Sequence, residues 1–344
     1  MEGSFVPKKV VIYWLYLGIA MVLTMVVIGG LTRLTHSGLS MTHWSFSGSL
    51  PPTTEIAWEA EFAKYQQSPE YKEVHAHFGV EEFKSIYWWE YIHRMFGRLI
   101  GLVFIFPFIF FLLKKWIPKS MYKHFFIILG LGAFQAFLGW FMVKSGLVDV
   151  PRVSHFRLAA HLSTAFIACS YIFWVTMRYK NYNLEELSVS PERKTAFFIT
   201  GLVFLQIIYG AFVAGLRAGW IHNTWPLMDG DLIAPAALAL EPLIDNFLEG
   251  RSGVQFVHRT LGLVVVLFTA WIFYKSSNWR TDIQKAARLA SIAVLIQFVL
   301  GVSTLLMEVP ISMGVIHQVF ALIVLLAHIA FIYTANYRLK SNLL

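Results

Sequence analysis

Eight long apolar runs constrain this chain more than any other feature, lying near 11–31, 87–113, 124–143, 156–177, 195–216, 253–274, 287–307 and 311–334. Each approaches the ~20 apolar residues that a helix needs to cross the hydrocarbon core of a bilayer. Water does not reach backbone N–H and C=O groups there, so each run must satisfy its own hydrogen bonds, which a helix does within one segment. The expected fold is an all-α integral membrane protein with eight transmembrane helices. Composition agrees: 57% of the 344 residues are hydrophobic and 14% are charged, an apolar share above that of a soluble domain.

Lysine and arginine set the expected orientation. Lys8/Lys9, Lys114/Lys115/Lys119/Lys123, Arg178/Lys180/Arg193/Lys194, Lys275/Arg280/Lys285/Arg288 and Arg338/Lys340 fall on alternate connections. That pattern puts both termini in the cytoplasm and the segments 32–86, 144–155, 217–252 and 308–310 outside. The net charge of +8 then reports topology in a lipid bilayer, and nucleic acid is not an expected partner. The lone cysteine, Cys169, falls within a span, so no disulfide forms within the chain even though large segments face an oxidising side. No cleavable signal or transit peptide is evident before the first run, which suits a bacterial inner membrane better than a mitochondrial one. The first outer segment is long and acidic. Residues 54–66 read as a short amphipathic helix with Ile56, Trp58, Phe62 and Tyr65 among its apolar positions. Ser68-Pro69-Glu70 reads as the cap, first-turn proline and first-turn acid of another. A structured outer cap is the expectation.

The second half echoes the first. Gly29 and Gly38 correspond to Gly210 and Gly219, His93-Arg94 to His258-Arg259, Gln135-x-x-x-Gly139 to Gln297-x-x-x-Gly301, and His161 to His317. The fifth span carries Gln206-x-x-x-Gly210 where the first has Met25 and Gly29. Such a repeat predicts two pseudo-repeated four-helix bundles in parallel, an N-terminal one over 1–180 with the long outer loop 32–86, and a C-terminal one over 181–344.

Four of the twelve histidines stand apart. His93, His161, His258 and His317 each lie in an even-numbered span, within about two turns of its outer end, and so share one depth. Ionisable groups at membrane depth are expensive and mark function. An imidazole pair from facing helices of a bundle supplies two axial ligands to haem iron, and His93 pairs with His161 as His258 does with His317. Four residues after each stand Gly97, Ala165, Gly262 and Ala321, small enough to let a flat porphyrin approach. No Cys-x-x-Cys-His is present for covalent attachment, and zinc requires more ligands at one centre. The Gln-x-x-x-Gly repeats read as hydrogen bonds and close packing between helices.

One charge separates the halves. Glu90 lies three residues before His93 and on the same helix face, whereas Gln255 takes that place before His258. A carboxylate beside haem handles protons or stabilises developing positive charge; its plain alternative is an ion pair with Arg94 or Arg98. The asymmetry points to a catalytic first site and an electron-transferring second one. Arg33, Arg94, Arg98, Arg217 and Arg259 are candidates for haem propionates, or else snorkel to the interface.

Three segments carry a resemblance over nearly the whole chain. They are Gly-Gly-Leu-Thr-Arg-Leu-Thr-His-Ser-Gly-Leu-Ser-Met (29–41), Glu-Phe-Lys-Ser-Ile-Tyr-Trp-Trp-Glu-Tyr-Ile-His-Arg (82–94) and Ala-Gly-Trp-Ile-His-Asn-Thr-Trp-Pro-Leu-Met (218–228). With the four histidines, they make the chain resemble the haem A synthase family, in its mitochondrial and proteobacterial type. The resemblance implies that substrate haem O binds between His93 and His161, and that its C8 methyl is oxidised to a formyl group by successive hydroxylations and loss of water. It implies Glu90 as the catalytic carboxylate, and a cofactor haem b held by His258 and His317. It also implies a place beside haem O synthase in cytochrome oxidase assembly. Many members carry a cysteine pair in an outer loop; this chain has none there, which argues against a thiol-based step. On the residues alone, a dihaem b-type electron-transfer protein and a haem carrier stay open as alternatives.

Overall fold

The computed structural model describes residues 5–43, 48–146 and 153–338; parts of the outer segments 32–86 and 144–155, and Lys340, lie outside the described residues. The elements in chain order are α1 (Lys9–Leu34), α2 (Glu55–Tyr65), α3 (Pro69–Glu73), α4 (Val80–Leu113), α5 (Tyr122–Gly146), α6 (His155–Lys180), the short strand β1 (Glu185–Glu186), α7 (Pro191–Gly215), α8 (Leu243–Leu248), α9 (Arg251–Lys275), α10 (Thr281–Leu306), α11 (Ile311–Asn336) and the strand β2 (Tyr337–Arg338). Among the described residues eight helices, α1, α4 to α7 and α9 to α11, are long and apolar enough to cross a membrane.

The second span starts a full two turns before its apolar run. With 34 residues, α4 is about 51 Å long at 1.5 Å per residue, against ~30 Å for the hydrocarbon core. Glu82 Oε2 accepts from Gly79 N at 2.9 Å and closes the first turn. The added turns carry Phe83, Ile86 and Tyr87, which pack against Trp58, Phe62 and Tyr65 of α2. Both short helices begin as expected: Thr54 accepts from Ala57 N and Ser68 from Tyr71 N, each at 3.2 Å, with Pro69 in the first turn of α3. Ile56 departs from the expected apolar face. It is 80% exposed, because the buried stripe of α2 runs at helical spacing through Trp58, Phe62 and Tyr65 and leaves Ile56 on the opposite side.

The apolar core gathers at the end of the bundle away from this cap. It takes in Val11, Trp14 and Leu15 at the start of α1, Phe108 and Phe111 at the end of α4, Val175 and Tyr179 at the end of α6, and Phe331 in α11. Trp14 Nε1 donates to Val103 O at 2.8 Å and ties α1 to α4 within it. Helices α1, α6, α7 and α11 pack together across the chain's midpoint. Gln318 Nε2 donates to Val26 O at 3.0 Å, and Arg33 donates to Ala214 O and Gly215 O at 3.0 and 3.2 Å. At the uncapped end, β1 pairs antiparallel with β2, Glu185 opposite Arg338.

Phe83 is fully buried between α2 and α4, so Phe83→Ala should weaken cap docking by about 3–5 kcal/mol. The expected result is faster tryptic cleavage at Lys64 and Lys72 in detergent, with the far-ultraviolet helix signal unchanged.

Candidate functional site

The four histidines share one setting. Each imidazole faces a glycine on the preceding span. A Cβ added to Gly29 would lie 3.4 Å from His93 Nε2, one on Gly139 3.4 Å from His161 Cε1, one on Gly210 3.2 Å from His258 Cε1, and one on Gly301 2.9 Å from His317 Cε1. In three of these settings a glutamine one turn deeper donates to the histidine's own carbonyl: Gln135 to His161 O at 2.8 Å, Gln206 to His258 O at 3.0 Å and Gln297 to His317 O at 3.0 Å. Such side-chain bonds between membrane helices average about 0.6 kcal/mol, as the Gln-x-x-x-Gly pattern leads one to expect. The equivalent position in α1 is Met25, whose Cε lies 3.3 Å from where a Cβ on Gly97 would stand. Gly262 makes the same room for Gln206, whose Nε2 would be 3.2 Å from its Cβ. Gly97 and Gly262 therefore serve helix contact, a role beyond the ring clearance expected of them.

The imidazoles come together in the expected pairs, His161 within electrostatic reach of His93 and His317 of His258. All four rings are half-buried. The Nδ1 atoms of His161, His258 and His317 are buried without a hydrogen-bond partner. His328 differs: it is fully buried and its Nδ1 donates to Val324 O at 2.8 Å, which makes it a satisfied core residue. Imidazoles set against glycines, three of them with a buried and unbonded Nδ1, suit ligation of a metal-centred group. Among the described residues no cluster of three or more His, Cys, Asp or Glu side chains could hold a bare ion, so the donor set fits haem better than zinc.

At the outer edge of this layer, Glu90 is only 2% exposed. Its carboxylate accepts from Ser40 Oγ at 2.7 Å, Met41 N at 2.8 Å and Arg94 at 2.5 Å. Arg94 also donates to Met41 O at 3.1 Å and His43 O at 2.8 Å. The C-terminal half repeats the arrangement with opposite polarity. Gln255 Nε2 donates to Ala218 O at 3.0 Å and Ile221 O at 2.5 Å, while Arg259 donates to Thr224 O at 2.5 Å and Leu227 O at 3.0 Å. Equivalent positions on α4 and α9 thus grip the chain that leaves α1 and α7. The other candidate arginines also have partners within the protein. Arg98 donates to Arg94 O at 2.9 Å, Arg33 meets the last carbonyls of α7, and Arg217 lies 3.2 Å from His36 Nδ1. Arg94 and Arg98 also wall a small cavity of about 60 Å³ with Met41, His43 and Tyr91.

Sequence reasoning missed one buried cluster. In the cap, the Tyr65 hydroxyl lies 2.7 Å from His75 Nδ1 and 3.3 Å from Glu70 Oε2, and all three side chains are buried. Burial, and then the charge of Glu90, push the Glu70 carboxyl up to about 8. Burial, followed by Arg217 and Arg33, pulls His36 down to about 4, and burial likewise lowers His75. In the sequence Glu70 reads only as a first-turn acid; nothing local says that α3 turns it inward.

Eight helices long and apolar enough to cross a membrane, two imidazole pairs between them and a buried carboxylate one turn from one pair define a polytopic membrane protein. A family model for the cytochrome oxidase assembly proteins (COX15-CtaA) matches residues 12–329, and the chain belongs to that family. Curated relatives bear the description "Heme A synthase". That of Flavobacterium johnsoniae is 46% identical over 93% of this chain and 96% of its own length. That of Flavobacterium psychrophilum is 49% identical over 92% and 96%, and that of Nitrosospira multiformis 42% identical over 95% and 93%.

The raised Glu70 carboxyl carries a pH signature. Its contribution to cap stability is complete below the ordinary value of 4.5 and is lost as pH rises through about 8. His36 and His75 are held below their ordinary value of 6.5, so above neutral pH both are uncharged in either state and the remaining slope belongs to Glu70. Tryptic cleavage of the cap should therefore accelerate between pH 7 and pH 9 in the wild type, windows set by these values, and should stay flat in Glu70→Gln.

Proposed function

We propose that this chain converts haem O to haem A by oxidising the C8 methyl group of the porphyrin to a formyl group, through successive hydroxylations and loss of water. The observation that carries the reading is the charge difference at equivalent positions beside the two histidine pairs, Glu90 in one and Gln255 in the other. Relatives described as heme A synthase over nearly their full length support the reaction. In this reading His93 and His161 hold the iron of substrate haem O in the N-terminal bundle (1–180). His258 and His317 hold a resident haem b in the C-terminal bundle (181–344). Haem b, when bound, supplies one-electron transfer.

Glu90 is the catalytic carboxylate. Ser40 Oγ and Met41 N hold one of its oxygens and Arg94 holds the other in an ion pair, which suits a positionally fixed carboxylate more than a proton shuttle. A pre-oriented negative charge in a low-dielectric site stabilises positive charge developing at the substrate's methyl carbon without reorganising at the moment of reaction. Arg94 and Arg98, at their shared cavity, and Arg33, Arg217 and Arg259 are the candidates for propionates, each in addition to the bonds it makes within the protein. Haem O synthase is the expected supplier and cytochrome oxidase assembly the expected consumer. The capped face looks outward from a bacterial inner membrane, with the basic flanks and both termini in the cytoplasm.

Co-expression with a haem O synthase, followed by chromatography of extracted haems, tests the reaction. Haem A is expected with the wild type, and at least a hundredfold less with Glu90→Ala, the order of effect for a lost electrostatic stabiliser. A wild type that yields only haem B and haem O overturns the proposal. His258→Ala should lose the resident b-type absorbance while the N-terminal site still loads; equal loss of both haems would contradict the division of labour.

A further inference from the structure

The four glycine–histidine contacts are alike in form but not in how they are secured. His161, His258 and His317 each have their backbone carbonyl bonded by a glutamine of the preceding span, at 2.8, 3.0 and 3.0 Å. His93 faces Met25 at that position, and a thioether has no hydrogen to donate. The His93 ring also sits differently: its Nε2 and Cδ2 edge is turned to Gly29, whereas the other three rings turn Cε1 to their glycines. The N-terminal layer therefore holds one histidine pinned at its backbone and one unpinned, and the C-terminal layer holds two pinned, whose rings the same glutamines also reach, at 3.5 Å for His258 Nε2 and 3.4 Å for His317 Nε2.

We infer that Met25 makes His93 the exchangeable ligand of the substrate iron, while His161 is the fixed one. The inference rests on the assignment of the N-terminal layer to substrate. A site that turns over must release its product; a resident cofactor must stay. Helix α1 is anchored, at depth by Trp14 on Val103 O and laterally by Gln318 on Val26 O, and the outer turns of α4 are held by the cap and by Glu90 and Arg94, so freedom at the Met25 contact falls to His93 itself and the turn of α4 below it. Methionine is unbranched and adaptable, and here it fills the space at Gly97 without fixing the register of the two helices. Met25 acts as a positioning residue, since it works through His93.

The test is the rate of haem loss to excess apomyoglobin. It uses full-length protein purified after co-expression with haem O synthase, with each haem identified by chromatography and each site followed by its absorbance. The wild type should lose its N-terminal haem faster than its C-terminal one. Met25→Gln should slow N-terminal loss by about threefold, the equivalent of one hydrogen bond between membrane helices, and leave haem b loss unchanged. Gln206→Met should accelerate haem b loss by a similar factor. Met25→Leu, which keeps the bulk and still cannot donate, should release haem at the wild-type rate. Equal loss from both sites in the wild type, or no slowing in Met25→Gln, overturns the inference. Should Met25→Gln fail to assemble, an unchanged haem b rate in Gln206→Met overturns it as well. A wild type that makes no haem A would sink the reaction assignment alone, because the release rates are read whether or not the methyl group is oxidised.

Discussion

An imidazole at membrane depth has no water to solvate it, and the capped half of this protein is arranged around four of them. Each packs one edge of its ring against a neighbouring helix at a position where glycine leaves the backbone open. Gly29, Gly139, Gly210 and Gly301 are those positions, and a Cβ at Gly301 would come within 2.9 Å of His317. Close approach in turn puts the side chain one turn deeper beside the histidine's own carbonyl, where Gln135, Gln206 and Gln297 bond it. The apolar core can then close the opposite end of the bundle with large side chains such as Trp14, Phe111 and Phe331.

The same helices couple this layer to the outer surface. Because α4 runs on past the hydrocarbon as one continuous helix, the segment that sets His93 and Glu90 also carries Phe83 and Tyr87 into the packed cap. Glu90 and Arg94 hold Ser40, Met41 and His43, so the carboxylate beside His93 is at once a fixed charge and a fastening of the α1 exit. In the other half Gln255 and Arg259 fasten the equivalent chain with an amide in place of the carboxylate. The exchange of a carboxylate for an amide thus changes the electrostatics while keeping the grip. Glu70 extends this economy into the cap, where its raised carboxyl answers partly to the charge of Glu90.

Much of this was legible in the sequence. The spans follow from apolar length, and the start of each short cap helix from Thr54 and Ser68. The pairing of the histidines follows from where they fall in the alternating spans. The Glu90 and Gln255 difference is visible from alignment of the two halves. What was not legible concerns partners far apart in the chain. Five arginines read equally well as propionate contacts or as snorkelling charges, and nothing local told that Arg94 and Arg259 hold loop carbonyls or that Arg33 meets the end of α7. Ile56 looked apolar and therefore inward, yet the direction of α2's buried face is set by what α4 offers it.

Sequence by itself determined the membrane class, the eight spans, the histidine layer and the odd charge at Glu90, since each depends on length, periodicity or position within one helix. Tertiary structure decided what those groups do to one another. It decided that glycine cradles the rings, that glutamine pins three of the four histidines while Met25 leaves His93 unpinned, and that one oxygen of Glu90 takes both its donors from residues about fifty positions earlier in the chain. The reason is physical: helix formation and insertion are settled by local hydrogen bonds and hydrophobicity, whereas hydrogen bonds between side chains and distant carbonyls exist only once the helices have packed.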